Sequence, residues 1–570
     1  MLKHKLLATA HIITDTASWQ EKLNSYLTPK RQRIILIGLL IMYTLMLTYK
    51  INEPFMRLQD EFDGTYSIAA WNWLIHGPIE LKFAMMTLAS NVGILPEVTR
   101  DFFLNHPSLF IAPTAAFYWF FGIGEWQTRA APILFSLLSL IVFWKLIARV
   151  FKTPWLTIAS SLFYAFFPVG IFFGGLLTND YLALFSILSL FLAVICFEEE
   201  RQKKYLIGIC AITFLGGLSD WTFLFAAAAA WWYIALTKNY PQKKAALLLM
   251  IGILAASLSM TLLQIWSIAR MNPFTYLKII FSDRNVADAV IPSISRFLNM
   301  RFNFDLVLFS EIGLILAIVG AIFYFRTYKK DKVKLFFLAL LAAPGLLTYA
   351  VFYKHSTAHS FYGLYMMPAI ALLAAYGLGR LRNVWLARSL FALFLTSCVW
   401  YASILFSYSQ FAQDDFSLFR RASAAVPISA PICTDSSNSK FYLTPGRKVA
   451  DAPCPDYSYF LLRQPQSYQN KDLLFSIVQT FYTSDFWKSA RRISFSMALG
   501  VETVKSVPLL KQKLGAVFAD HDPRKDNANA AKNAQAFIDE HNLQPADCST
   551  NFCLYAKNGA PLKQNSPRLE

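Results

Sequence analysis

Eleven apolar runs, each about the length of a bilayer crossing, recur between residues 34 and 406, with small clusters of Lys and Arg between them. A hydrocarbon core of ~30 Å needs ~20 largely apolar residues per helix, and within it every backbone polar group must be satisfied inside the segment. This pattern excludes an ordinary soluble fold. Composition agrees, at 56% hydrophobic and 15% charged residues with a mean hydropathy of +0.40. The formal charge of +18 does not point to nucleic acid, because the cations are dispersed among apolar runs rather than gathered on one basic face. Dispersed this way, they read as cytoplasmic loops. The expected fold class is therefore mainly α: a polytopic transmembrane helical bundle carrying a C-terminal extracytoplasmic α/β domain.

Residues 1–33 are amphipathic and basic, without a short apolar core and small-residue cleavage site, so they are expected to be cytoplasmic and the first span to be an uncleaved anchor. The transmembrane module is expected over 34–406, with spans at 34–49, 130–147, 156–173, 181–197, 205–218, 221–236, 245–265, 306–325, 335–352, 361–378 and 390–406. Six basic clusters then fall on one side, which places the N-terminus inside and the C-terminus outside. Two long outer loops follow from this count, 50–129 and 269–305. In the first, 67–75 and 109–121 read as helices lying at the interface, with Trp71, Trp73, Trp119 and Trp126 at headgroup depth. Beyond 407 the composition becomes that of a soluble domain, with strands expected at 430–435, 440–446, 515–520 and 552–558 and a helix at 527–542. Cys433, Cys454, Cys548 and Cys553 all lie there, and in an oxidising compartment they have three possible disulfide pairings.

Chemistry concentrates on the outer side. Asp60, Glu61 and Asp63 follow the first span, and Asp60 and Asp63 share a face if the segment is helical. Carboxylates there suit a general base or the ligation of a hard divalent ion such as Mg or Mn, while a plain solvated loop is the competing reading. Asp180 and Asp220 stand where helix N-caps are expected. His106, Lys354, His355 and His359 fall on the same side, and the loop 269–305 adds Arg270, Lys278, Arg284, Arg296 and Arg301. Cations near the headgroups suit either a phosphate of the substrate or anionic lipids. There is no strong metal spacing, glycine-rich phosphate loop or nucleophile elbow, so a nucleotide-consuming enzyme has no support.

Several stretches carry a family resemblance: DEFDGTYSIAAWNWLIHG, NHPSLF, FGIGEWQTRAAPILFSLLSLIVFWKLIARVF, LLTNDYLALFSILSL and HSFYGLYMMPAIALLAAYGL. Together they resemble the GT-C superfamily, in particular its branch of protein O-mannosyltransferases and lipid A aminoarabinose transferases, over about residues 34–378. The resemblance implies an enzyme of the bacterial inner membrane with its C-terminal domain in the periplasm. Such an enzyme takes a sugar from a polyprenyl-phosphate donor and places it on a lipid, glycan or protein acceptor at the outer face. The family's acidic pair falls on Asp60 and Glu61 or on Asp63, with Asp63 preferred as general base. Its Lys-Pro or His-Pro pair falls on His106 and Pro107, and its outer His on His359. The usual Leu-Thr-Lys stretch is here LSDWT, without the Lys. The implied mechanism is a single displacement with inversion in which cations stabilise the departing lipid phosphate, beneath the loop 269–305 as a lid. Two alternatives stand beside it: a ligase or polymerase with a lipid pyrophosphate leaving group, and a lipid or polysaccharide flippase. Largely uncharged spans and the lack of an internal repeat weigh against the flippase.

Overall fold

The computed structural model describes residues 20–55, 60–87, 102–236, 242–278 and 294–407, apart from residues 22, 354, 355, 357, 358 and 382, together with short stretches between 418 and 557. The chain divides into two compact units. The first comprises Met1–Glu53, Tyr66–Thr87 and Leu95–Ser407, and the second Pro54–Thr65, Leu88–Ile94 and Tyr408–Glu570.

The helices are α1 (Pro29–Leu47), α2 (Glu61–His76), α3 (Ala112–Phe121), α4 (Glu125–Phe151), α5 (Pro154–Phe166), α6 (Pro168–Phe173), α7 (Asn179–Glu200) and α8 (Lys203–Gly217). They continue with α9 (Thr222–Leu236), α10 (Lys243–Ala269), α11 (Ile294–Phe309), α12 (Glu311–Tyr328), α13 (Lys332–Val351), α14 (Met367–Gly379) and α15 (Val384–Ser407). Every expected span has a helix. Among the described residues, six (α4, α7, α10, α12, α13 and α15) are long and apolar enough to cross a membrane.

Boundaries follow local chemistry. Thr28 caps α1 and Pro29 opens it, so Lys30, Arg31 and Arg33 fall inside this helix rather than before it. The third expected span is broken at Phe167, because Pro168 has no N–H to continue the ladder and starts α6 instead. The tenth enters as a 3-10 turn, Ser360–Tyr365, before α14. Lys152 and Arg201 end α4 and α7 in the left-handed conformation, at φ 53 and 56°, where a cation also suits the helix C-terminus. Arg149 pairs with Glu199 and Glu200, so the C-termini of α4 and α7 lie on one side, as alternating topology requires.

Helices α12 and α14 approach more closely than any side chain allows. A Cβ on Gly320 would sit 1.8 Å from the Leu373 carbonyl oxygen, and one on Gly377 2.0 Å from that of Leu316. Small residues permit such backbone approach between membrane helices. Gly320→Ala or Gly377→Ala is expected to force the pair apart, at a cost of ~1–3 kcal/mol. Thermal unfolding of the purified protein in detergent reads this as a lowered midpoint.

One expectation for the first outer loop is revised. Residues 67–75 lie within α2 and are largely buried, and Trp73 turns inward, its indole N–H donating to the Ala84 carbonyl at 2.8 Å. A two-stranded ribbon, β1 (Met85–Met86) with β2 (Phe102–Phe103), packs nearby, since the Asn72 amide donates to the Met86 carbonyl. Residues 109–121 form a short 3-10 turn and α3, whose tip exposes Trp119, Phe120 and Phe121, a composition that suits an interfacial anchor.

In the second unit, β3 (Ile432–Thr434), β4 (Val449–Asp451), β5 (Tyr459–Arg463), β6 (Leu543–Cys548) and β7 (Phe552–Lys557) form a sheet of order β4-β3-β5-β7-β6. Strand β3 is parallel to both neighbours, and β7 is antiparallel to both of its own. Two of the expected strands correspond to β3 and β7; those at 440–446 and 515–520 and the helix at 527–542 lie outside the described residues.

Candidate active site

The acidic segment after the first span is helical rather than a solvated loop. Asp60 occupies the turn before α2 and its carbonyl accepts the Gly64 N–H at 3.0 Å, so Asp60, Glu61 and Asp63 all belong to the opening turn. A helix N-terminus favours negative charge. Asp60 is 2% and Asp63 0% exposed. Withdrawing two carboxylates from water within one turn is costly, which a surface loop has no reason to bear.

Separately, the first unit contains a buried polar node built around Asp220, in the short turn between α8 and α9. Its Oδ1 lies 3.2 Å from His106 Nδ1, while Oδ2 accepts from the Tyr365 hydroxyl at 3.0 Å and from the Thr222 N–H at 3.1 Å. Asp220 thus does cap α9 as expected, and it does more than cap. The loop bearing His106 is held on both flanks: the Trp221 indole donates to the Asn105 carbonyl at 2.7 Å and the Leu109 N–H to the Leu218 carbonyl at 3.1 Å. Phe103 stacks on the His106 ring with centroids 5.9 Å apart. With Nδ1 donating to Asp220, the orientation of the imidazole is fixed. Burial works to raise the Asp220 carboxyl, but His106 and Thr222 outweigh it and hold the group below its ordinary value.

Asp180 adjoins this node. It was expected to cap α7, yet that role belongs to Thr178, whose hydroxyl accepts the Asp180 N–H at 3.4 Å. Asp180 itself is fully buried and, among the described residues, neither carboxylate oxygen has a hydrogen-bond partner. The Asn179 amide nitrogen lies 3.5 Å from His106 Nδ1. His106, Asp180 and Asp220 are therefore brought together.

Arg301 sits elsewhere, in a second buried cluster. Its Nε and Nη2 donate to Asp305 Oδ1 at 3.1 and 2.8 Å, Nη1 to the Ser356 carbonyl at 3.3 Å and Nη2 to the Ser360 carbonyl at 3.4 Å. The guanidinium also lies 4.2 Å from the centre of the Tyr349 ring. These contacts tie α11 to the end of α13 and to the segment that continues into Tyr365. Arg301→Lys keeps the charge but loses the planar fork, and is expected to lower stability by ~1–2 kcal/mol, about one hydrogen bond, read as the unfolding midpoint. His359 lies just before the 3-10 turn, its ring 5.1 Å from that of Phe361. Lys354 and Arg284 lie outside the described residues, as do the side chains of Glu61 and Arg296. Among the described residues no group of three His, Cys, Asp or Glu is arranged to hold a metal ion.

Sequence reading missed Tyr365, Asp305 and Arg129. Tyr365 stands within the quoted HSFYGLYMMP stretch, where nothing in the spacing separates it from Tyr362. Arg129, 2% exposed, donates to the Ile51 and Glu53 carbonyls and secures the chain where it leaves the first span. Its signal was available, as a lone cation at the outer end of an apolar run.

Residues 105–270 match the family described as dolichyl-phosphate-mannose-protein mannosyltransferase, a segment that holds His106, Asp180 and Asp220. No curated protein matches the chain significantly. Among solved structures, ArnT from Cupriavidus metallidurans bound to undecaprenyl phosphate has a TM-score of 0.51 at 14% identity, over 77% of this chain and 94% of that one. The apo oligosaccharyltransferase of Archaeoglobus fulgidus has a TM-score of 0.49 at 9% identity, over 78% of this chain and 71% of that one. The chain thus shares the fold of ArnT, and its segment similar to the mannosyltransferase family is the one that carries His106, Asp180 and Asp220.

Proposed function

We propose that the protein transfers a sugar from a polyprenyl-phosphate donor to a hydroxyl-bearing lipid, glycan or protein acceptor at the outer face of a bacterial inner membrane. The N-terminus is cytoplasmic and the domain after residue 407 periplasmic. The observation that carries this reading is the burial of Asp60 and Asp63 in one helical turn directly after the first span. The similarity of fold to a protein solved with undecaprenyl phosphate supports the class of donor.

Asp63 accepts the proton of the acceptor hydroxyl as its oxygen bonds to the anomeric carbon. The bond from that carbon to the phosphate oxygen breaks, its electron pair leaves with the lipid phosphate, and the anomeric configuration inverts. His106, His359 and Lys354 are the cations assigned to the leaving phosphate, with Asp220 orienting His106. Asp180 is assigned to the sugar, as an acceptor for its hydroxyls. Arg301, engaged with Asp305, positions the lid segment. Asp60 and Glu61 support Asp63 electrostatically.

Purified protein incubated with a radiolabelled polyprenyl-phosphate sugar and a mixture of envelope acceptors tests this. Label is expected to leave the lipid fraction, and the matching nucleotide sugar is expected to give no product. Transfer from the nucleotide sugar alone would contradict the proposal.

A further inference from the structure

The sheet of the second unit decides among the possible partners of its cysteines. In the β6–β7 hairpin Cys548 stands directly opposite Cys553, with residues 549–551 and Phe552 between them in sequence. Directly opposed residues of an antiparallel pair have Cα atoms ~4.5 or ~5.5 Å apart, depending on the hydrogen-bonding phase. Both separations fall within the ~4.4–6.8 Å that a disulfide spans. Cys433 is differently placed. It lies on β3, and the sheet order puts β5 between it and β7 and both β5 and β7 between it and β6. With strands ~4.8 Å apart, Cys433 is two spacings from the strand of Cys553 and three from that of Cys548. Pairs more than ~7 Å apart cannot be bridged without moving the backbone, so both pairings that join Cys433 to the hairpin are excluded.

We infer that Cys548 and Cys553 form a disulfide that closes the end of the β6–β7 hairpin. The inference rests on the periplasmic placement proposed above, since a reducing compartment would keep the thiols apart. The two thiols together lose two protons and two electrons as the S–S bond forms. Thiol–disulfide exchange passes the electrons to an oxidising protein disulfide of the outer compartment, which becomes a dithiol. The bridge secures the hairpin, whose β7 strand holds β6 to the rest of the sheet.

The full chain, extracted from membranes in the presence of N-ethylmaleimide and digested with trypsin, gives a test. Peptide 533–557 carries both cysteines and no other. It is expected to take up no label before reduction and two labels after it, and to be lighter by two hydrogens in the unreduced state. Two labels before reduction, or either cysteine linked to a different peptide, overturns the inference. A second arm separates the pairing from the orientation on which it rests. The Cys548→Ser variant leaves Cys553 as a single thiol, to be probed in intact cells by an alkylating reagent small enough to cross the outer envelope but excluded by the inner membrane. If the wild-type pair is free, modification of that thiol from outside means that the pairing is wrong and the orientation right. Protection until the inner membrane is permeabilised means that the orientation has failed.

Discussion

Asp63→Asn is expected to lower the turnover of sugar transfer by ~10²–10⁴-fold, the usual contribution of a positioned general base. The substitution removes the charge and the proton acceptor while preserving volume, at a position with no exposed surface. Folding is therefore expected to survive it, with the unfolding midpoint in detergent close to that of the parent. Asp60→Asn, one residue before the helix, is expected to cost less, since it perturbs the field around Asp63 without removing the base. Measured at matched protein amounts with saturating donor, the loss should appear in kcat. Parental turnover in both variants would eliminate the base assignment, and a larger loss for Asp60→Asn would exchange the two roles.

Asp220→Ala is expected to be the most destabilising single change in the first unit and to abolish activity as well. It leaves the Tyr365 hydroxyl, the Thr222 N–H and the His106 ring without their acceptor in a site where Asp220 is 2% exposed. Each buried group so orphaned costs ~1–3 kcal/mol. Asp220→Asn is the gentler probe, since it retains an acceptor oxygen for one or two of the three donors. The pH dependence follows from the depressed carboxyl. A folded-state value below the ordinary 3.8 means that the stabilisation is complete above 3.8 and is lost as pH falls through the folded value. At neutral pH the full effect of the substitution is thus expected, and once pH has fallen below the folded value the parent and Asp220→Asn should converge in unfolding midpoint. A persistent difference there would contradict the role given to the charge.

How much of this was legible in the residues depends on the distance over which each feature is determined. The helices were, because apolar length and the basic residues between runs act locally; even the break before α6 is written in Pro168. The acidic turn was visible as a cluster, but its burial was not, since four residues of sequence do not say what surrounds them. The Asp220 node was beyond reach: His106 is 114 and Tyr365 145 positions away in the chain. A lone Asp in LSDWT reads as an N-cap, and it is one; only the fold reveals the two further partners. Arg301 illustrates the intermediate case. Its i,i+4 partner Asp305 was readable on a helix, whereas the Ser356 and Ser360 carbonyls, 55 and 59 residues on, were not. An arginine in an outer loop consequently looked available to a phosphate when much of its hydrogen-bonding capacity is used within the fold.

The central claim concerns which lipid leaves the sugar. Mass spectrometry of the lipid left after a single turnover by the purified protein, with monophosphate-linked and pyrophosphate-linked polyprenyl sugar donors supplied together in trace amounts, tests it most directly. The account predicts a polyprenyl monophosphate, formed in equal amount to the glycosylated acceptor and absent when Asp63→Asn replaces the parent. A polyprenyl pyrophosphate as the lipid product would contradict it and identify the protein as a ligase or polymerase of lipid-linked glycans.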